Sequence, residues 1–267
     1  MSEVFDCTTP EGLAAGLAAA AQAVRDGKVV VLPTDTVYGI GADAFNADAV
    51  AALLAAKGRG RDMPPPVLLP NLRAVDGLAR EVPDYVRALL ARFWPGALTV
   101  VVKSQPSLSW DLGETNGTVA IRMPDNEIAL SLLGDVGPMA VTSANLTGSP
   151  AAHTVAEAQD QLGAAVSVYL DAGPATGTAA STMLDCTTDS AVTLREGAIA
   201  RSDIDAELEA AARVAEAERL AEEKRAATQG RAPRGARGVG KPGPRPNPGA
   251  AGRRTGRVAG QRRRPQP

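Results

Sequence analysis

Six short segments, far apart in the chain, concentrate the residue types that hold anions. They are Thr34–Tyr38, Lys57–Arg61, Thr118–Arg122, Thr142–Asn145, Ser181-Thr182 and Arg195. Lysine and arginine, with Ser/Thr hydroxyls and backbone N–H groups, can hold a polyphosphate without a P-loop, provided that such segments converge on one cleft. Taken singly, each has a plainer reading. Lys57–Arg61 could be a solvated helix end, where cations complement the carboxyl-terminal dipole. Arg122 and Arg195 could be surface ion pairs. His153 reads as a loop residue beside a helix N-cap, Cys186 as core, and Trp94 and Trp110 as packing rather than base-stacking platforms. With one histidine and two cysteines, Cys7 and Cys186, neither a Cys/His zinc site nor a disulfide framework can be built.

Two phosphate-binding spacings fail on physical grounds. Gly235–Pro242, GARGVGKP, approximates a P-loop, but proline stands where the magnesium-binding hydroxyl belongs, and no strand–helix pattern surrounds it. Gly39–Ala44, GIGADA, echoes the dinucleotide fingerprint. There Pro33 and Asp43 crowd the turn, no helix is expected before Asn46, and cations replace the acidic ribose partner expected about 20 residues on.

The stretch that must organise the six segments is Val29–Ala44, VVVLPTDTVYGIGADA. Val29–Leu32 has the β-branched, apolar pattern of a strand buried on both faces. Pro33 cannot donate to a ladder and ends it. Thr34, Asp35, Thr36 and Tyr38 then crowd the strand's carboxyl end, where ligands of α/β sheets collect. Upstream, Thr9-Pro10-Glu11 opens a helix that reaches Asp26-Gly27. Asn46 caps another through Ala56. Pro83–Arg92, Glu127–Leu133 and a Thr154-capped run to Leu162 read as further helices. Val67–Leu69, Ala97–Lys103, Thr118–Arg122, Pro138–Val141 and Val166–Leu170 read as strands, and Ser181–Cys186 with Ala191–Arg195 as a closing hairpin. Ser104–Gly117 has no period and is expected as loop. The interleaving predicts a layered α/β domain over about residues 5–200.

The net charge of −2 over 267 residues conceals a split. Residues 224–267 carry 13 of the 28 Lys/Arg and none of the 30 Asp/Glu, so residues 1–223 hold 15 cations against 30 anions. A charged Ala/Glu/Arg helix is expected over 201–228, solvated because its apolar positions are mostly alanine. A disordered Gly/Pro/Arg-rich tail is expected over 229–267, able to attract polyanions weakly. The amino terminus, MSEVFDCTTP, lacks the regions of a signal peptide. No apolar run reaches the roughly 18 residues of a membrane helix. A cytoplasmic location without membrane contact is the expectation.

The order PTDTVYGIGADA, KGR after a helix, FWPGALT, TVAIRMP, TSANLTG, STMLD and LREG resembles the YrdC-like threonylcarbamoyl-AMP synthases over about residues 10–200, of the short, single-domain type. The resemblance implies a mixed α+β fold, a twisted mixed sheet flanked by helices around a basic cavity. It implies a nucleotidyltransferase that forms threonylcarbamoyl-AMP and pyrophosphate from L-threonine, bicarbonate or CO2, and ATP with Mg2+. The product would pass to a tRNA threonylcarbamoyl transferase machinery that modifies ANN-decoding tRNAs. By position, Lys57 and Arg59 resemble the pair that faces the ATP phosphates and carries catalysis. Thr118, Ser143, Asn145 and Arg195 fall at ATP-binding positions, with Asn145 also anchoring its loop. Thr36, Arg122, Val141 and Ser181 fall at L-threonine-binding positions, and no residue is assigned to a metal.

The chain departs from the family at several of these places. Gly60 replaces a proline and Met63 an asparagine, whose ATP contact is lost or passes to Arg61 or a backbone group. Leu68 stands for a threonine-contacting histidine, and Ala151 for a serine that some members use at the nucleotide. No general base is evident, with Asp35 and Asp43 the candidates. Catalysis by positioning and charge neutralisation is expected. The alternative is a non-catalytic module for double-stranded RNA or tRNA, against which the acidic body speaks. A related enzyme that starts from carbamoyl phosphate, as in hydrogenase maturation, ranks below both.

Overall fold

In the computed structural model, which describes residues 2–229, the central apolar run is a strand clothed on both faces. The elements are β1 (Glu3–Asp6), α1 (Pro10–Arg25), β2 (Val30–Leu32), β3 (Gly39–Asp43), α2 (Ala47–Ala56), β4 (Val67–Leu68), α3 (Ala74–Leu78), α4 (Asp84–Phe93), β5 (Leu98–Lys103), β6 (Thr118–Arg122), α5 (Glu127–Val136), β7 (Met139–Ser143), α6 (Val155–Leu162), β8 (Val168–Asp171), β9 (Thr182–Asp185), β10 (Val192–Arg195) and α7 (Arg201–Gln229). The strands form one mixed sheet in the order β1-β8-β2-β3-β7-β4-β6-β5-β9-β10. β2 runs parallel to β8 and antiparallel to β3.

Successive side chains of a strand point to opposite faces, and β2 shows what each face meets. Val31 belongs to one buried cluster, which also holds Ile40 of β3, Val50 and Leu53 of α2, Leu89 of α4 and Ala158 of α6. Val30 and Leu32 join Ala20 and Val24 of α1 and Leu132 and Leu133 of α5. Helices therefore cover both faces, as the uninterrupted valines require. The helix starts are secured as the sequence indicates. Thr9 accepts from the Gly12 amide at 3.2 Å and Asn46 from Ala49 at 3.1 Å, while Thr154 and Glu157 form a reciprocal capping box.

Three elements, β1, β3 and α3, lie outside the sequence expectation. β3 was obscured by its glycines, which read as turn signals. They serve close packing instead. A Cβ on Gly41 would lie 2.9 Å from Val141 Cγ2 and 3.0 Å from Met139 Cε, and one on Gly39 2.7 Å from Val141 Cγ1. The chain divides into two units, residues 1–221 and 222–267. The first contains the whole sheet. In it α7 is less solvated than its alanines suggest, because Ile204 is fully buried and Leu208 packs against the core. In the second, the described residues are the last helical turns, with side chains exposed through Ala226. The tail expected to be disordered lies outside the described residues, apart from Gln229, which ends α7. Among the described residues, no helix is long and apolar enough to cross a membrane.

Candidate active site

Strand and helix ends bring most of the dispersed polar segments around one cavity of about 330 Å3. The loop after β2 contributes Thr34, Thr36 and Tyr38. The turn after α2 contributes Arg59, and β6 contributes Thr118 and Arg122 at its two ends. β7 contributes Val141, Thr142 and Ser143. Ser181 precedes β9 and Arg195 closes β10. Of the ten residues expected at the site, eight are on this wall: Thr36, Arg59, Thr118, Arg122, Val141, Ser143, Ser181 and Arg195. Lys57 and Asn145 are not.

Lys57 is 3% exposed, and its ammonium is enclosed by the loop that follows β7. It donates to Ser143 O at 2.5 Å and Asn145 O at 2.6 Å, and more weakly to Asn145 Oδ1 at 3.5 Å. Burial, with the Arg59 charge adding to it, pushes its pKa down from 10.5 to about 8. Asn145 turns its amide inward too, donating to Leu146 O and Ser149 O, each at 2.8 Å. Both residues hold the wall from behind. Neither side chain is on the cavity lining: the Lys57 ammonium is turned to the carbonyls of Ser143 and Asn145, and the Asn145 amide to those of its own loop.

Arg122 is 6% exposed and heavily bonded. Nε donates to Gly96 O at 2.9 Å, Nη1 to Thr36 Oγ1 at 3.0 Å and Nη2 to Asp35 Oδ1 at 2.6 Å. The same Asp35 oxygen also accepts from the Asp125 amide at 3.1 Å, so it holds Arg122 from outside the cavity lining. Three of the guanidinium's five N–H groups are used, which leaves two for a ligand. Arg195 donates through Nε and Nη2 to Ser181 O and through Nη2 to Ser181 Oγ. Ser181 Oγ lies 2.8 Å from the buried Thr99 hydroxyl. Arg59 donates to Thr142 Oγ1 at 3.0 Å and, at 3.4 Å, to Pro64 O, while its Nε is buried without a partner.

Burial pushes the pKa values of all three guanidiniums down. Asp35 opposes this at Arg122 and Asp62 at Arg59, while neighbouring guanidiniums add to it at Arg59 and Arg195. All remain cationic, as guanidinium does in proteins. No carboxylate lines this cavity among the described residues. A concave wall with three cations, several hydroxyls and no carboxylate on its lining is a receptor for an anion.

The remaining expectations separate cleanly. Arg61 turns away and pairs with Asp111 at 2.7 Å on the surface, and Met63 is 41% exposed, so neither replaces the family asparagine at the cavity. Leu68 and Ala151 are on the wall. Asp43 accepts from the Phe45 amide in a turn, outside the cavity lining, and is no base there. Among the described residues, no cluster of three or more His, Cys, Asp or Glu could hold a metal ion. Sequence reasoning missed Thr99 and Tyr38's role as an anchor, while Thr142 lies within a segment that it singled out. Thr99 was legible as the one hydroxyl in the apolar run ALTVVVK. Tyr38 donates to Gly173 O at 2.5 Å and accepts from the Ala172 amide, a pairing 135 residues apart that no local pattern shows.

The Sua5/YciO/YrdC family model, described as telomere recombination, matches residues 22–197. The chain belongs to that family. A Sua5/YciO/YrdC relative from Mycobacterium leprae (strain TN), a putative threonylcarbamoyl-AMP synthase, is 55% identical over 199 residues, covering 74% of this chain and 90% of the relative. The threonylcarbamoyl-AMP synthase of Bacillus subtilis (strain 168) is 40% identical over 192 residues, 71% of this chain and 56% of its own length. Among solved structures, P. abyssi Sua5 complexed with L-threonine superposes with a TM-score of 0.72 at 31% identity, covering 77% of this chain and 61% of that one. The chain thus spans most of the mycobacterial relative and about three fifths of the P. abyssi one.

Proposed function

We propose that this Sua5/YciO/YrdC protein is an L-threonylcarbamoyladenylate synthase, a nucleotidyltransferase that joins L-threonine, CO2 or bicarbonate, and ATP. The observation that carries the reading is the carboxylate-free cavity with Arg59, Arg122 and Arg195 on its wall. Named synthases among its relatives, one of them solved with L-threonine bound, give the anion its chemical identity. The two unused N–H groups of Arg122 take the amino-acid carboxylate. Arg59 and Arg195 take the phosphates, with Thr118 and Ser143 at the nucleotide and Val141 and Ser181 against the threonine.

Two steps follow. The neutral amine of threonine forms an N–C bond to CO2, one C–O π pair moves onto oxygen, and a proton leaves nitrogen to water. A carbamate oxygen then attacks the α-phosphorus of ATP, and the bond to the bridging oxygen breaks with its electron pair leaving on pyrophosphate. The chain supplies orientation and fixed positive charge rather than a base. The product is an activated acyl donor for modification of ANN-decoding tRNAs, handed to a separate transferase. The duplex-RNA reading is disfavoured because three arginines converge in a recess of nucleotide size on a body with twice as many anions as cations. Weak RNA contact through the basic tail remains compatible with the enzyme.

The test is pyrophosphate release in bicarbonate buffer on addition of L-threonine, compared with L-serine. Threonine-dependent release that requires ATP is expected. Absence of release with both amino acids would remove the assignment.

A further inference from the structure

The hydroxyls at the start of the cavity form a chain whose direction can be worked out. Thr34 Oγ1 lies 2.6 Å from Val37 O, and a carbonyl only accepts, so the single Thr34 hydroxyl proton is committed there. The same oxygen accepts from the Thr36 amide at 3.1 Å. It also lies 3.0 Å from Thr36 Oγ1. Having no proton left, Thr34 must accept in that contact, and Thr36 must donate. Thr36 Oγ1 in turn accepts from Arg122 Nη1 at 3.0 Å. Its proton is used and one of its two lone pairs is used. One lone pair remains, and Thr36, 2% exposed, lies on the cavity wall. Thr36 can therefore offer a ligand only an acceptor.

We propose that Thr34 is a positioning residue that fixes the polarity of the Thr36 hydroxyl, so that Thr36 receives the α-amino group of the amino-acid substrate and excludes an acceptor from that point. The inference rests on the threonine-binding reading above. Arg122 and Thr36 are directly bonded, and an α-amino acid carries its carboxylate and its amine on one carbon. A carboxylate on the free N–H groups of Arg122 brings the amine next to Thr36. The polarity then matters for the chemistry. A Thr36 hydroxyl that donated would occupy the nitrogen lone pair, which is the pair that must attack CO2. A hydroxyl held as acceptor takes an amine N–H and leaves that pair free. Thr34 is saturated by Val37, the Thr36 amide and the Thr36 hydroxyl, so it acts on the substrate only through Thr36.

The experiment is calorimetric titration of the full chain with L-threonine and, separately, ATP, using Thr34→Val, Thr34→Ser, Thr36→Val and the Thr34→Val/Thr36→Val double variant, with thermal melts to confirm folding. Thr34→Val should weaken L-threonine binding about tenfold or more while leaving ATP affinity within about twofold. Thr34→Ser, which keeps the hydroxyl, should restore it. The double variant should bind threonine no more weakly than Thr36→Val alone, because no hydroxyl remains to be oriented. Wild-type affinity in Thr34→Val, or a full additive loss in the double variant, would overturn the proposal while leaving the functional reading intact. Failure of the wild-type protein to bind L-threonine would instead remove the functional reading, and this proposal with it. Should Thr34→Val fail to fold, the wild-type protein gives the same answer with 2-oxo-3-hydroxybutanoate, whose carbonyl puts an acceptor in place of the amine. It should bind at least about tenfold more weakly than L-threonine, and equal affinity would overturn the proposal.

Discussion

Replacing Lys57 with methionine should reveal a buried charge whose influence on stability depends on pH. In the folded protein the ammonium is 3% exposed and its pKa is pushed from 10.5 to about 8, first by burial and then by Arg59. Between these two values the unfolded chain binds a proton that the folded chain has released. Unfolding then takes up protons, and folding stability from this group rises with pH. The contribution is greatest above pH 10.5, falls as pH drops towards about 8, and is constant below that. A displacement of this size corresponds to about 3 kcal/mol across the window. The same side chain makes two short, charge-assisted bonds to Ser143 O and Asn145 O. Its removal strands Asn145 O, leaves Ser143 O with only the Asn145 amide, and should lower stability at pH 7 by roughly 2–4 kcal/mol in spite of the desolvation relieved. Urea unfolding of the wild type and Lys57→Met at pH 7, 8, 9 and 10 measures both effects. Stability differences between the proteins should widen by about 2 kcal/mol from pH 8 to pH 10, with the wild type gaining. A difference that stayed constant across that range would refute the buried-ammonium account.

Three further outcomes follow from the same geometry. Arg59→Ala removes a cation that reaches the cavity through few protein bonds, so pyrophosphate release should fall about 10²–10³-fold while the melting temperature changes little. Asp35→Asn leaves the 6% exposed Arg122 without its countercharge and should cost about 3–5 kcal/mol, read by urea unfolding at pH 7. Gly41→Ala drives a Cβ to within 2.9 Å of Val141 Cγ2 and should destabilise by about 1–3 kcal/mol, with Val141→Ala in the same chain recovering part of the loss in thermal melts.

Elements defined by their own residues were legible in the sequence. The Thr154 capping box, the Asn46 cap, the valines of β2 and the five residues of β6 all carry their signal locally, and the structure places them as read. What escaped depends on a neighbour. β1 is four residues at the sheet's edge, exists through its parallel pairing with β8 more than 160 positions later, and exposes Val4. β3 holds glycines because Val141 stands beside them, and a glycine that yields space looks, in one dimension, like a glycine that turns the chain.

The cavity divides along the same line. Chemistry at the end of a predicted strand, such as Arg122 or Arg195, could be placed because the strand's end places it. Lys57 and Arg59 are two residues apart, share a positive charge and resemble one motif, yet the structure sends one behind the wall and the other through it. Two features just after α2 separate them. Lys57 is the helix C-cap with αR backbone, and Gly58, with φ of 60°, then reverses the path so that the Arg59 amide returns to Leu54 O. The helix-terminal position faces the end of β7 and the loop after it, where the Ser143 and Asn145 carbonyls accept from the ammonium. The position beyond the reversal faces the cavity, where Thr142 meets the guanidinium. A left-handed glycine at a helix end is legible in KGRG as a stop signal. It becomes a sorting device for the two cations only when β7 lies alongside, and that requires a pairing of β3 with β7 across 100 residues.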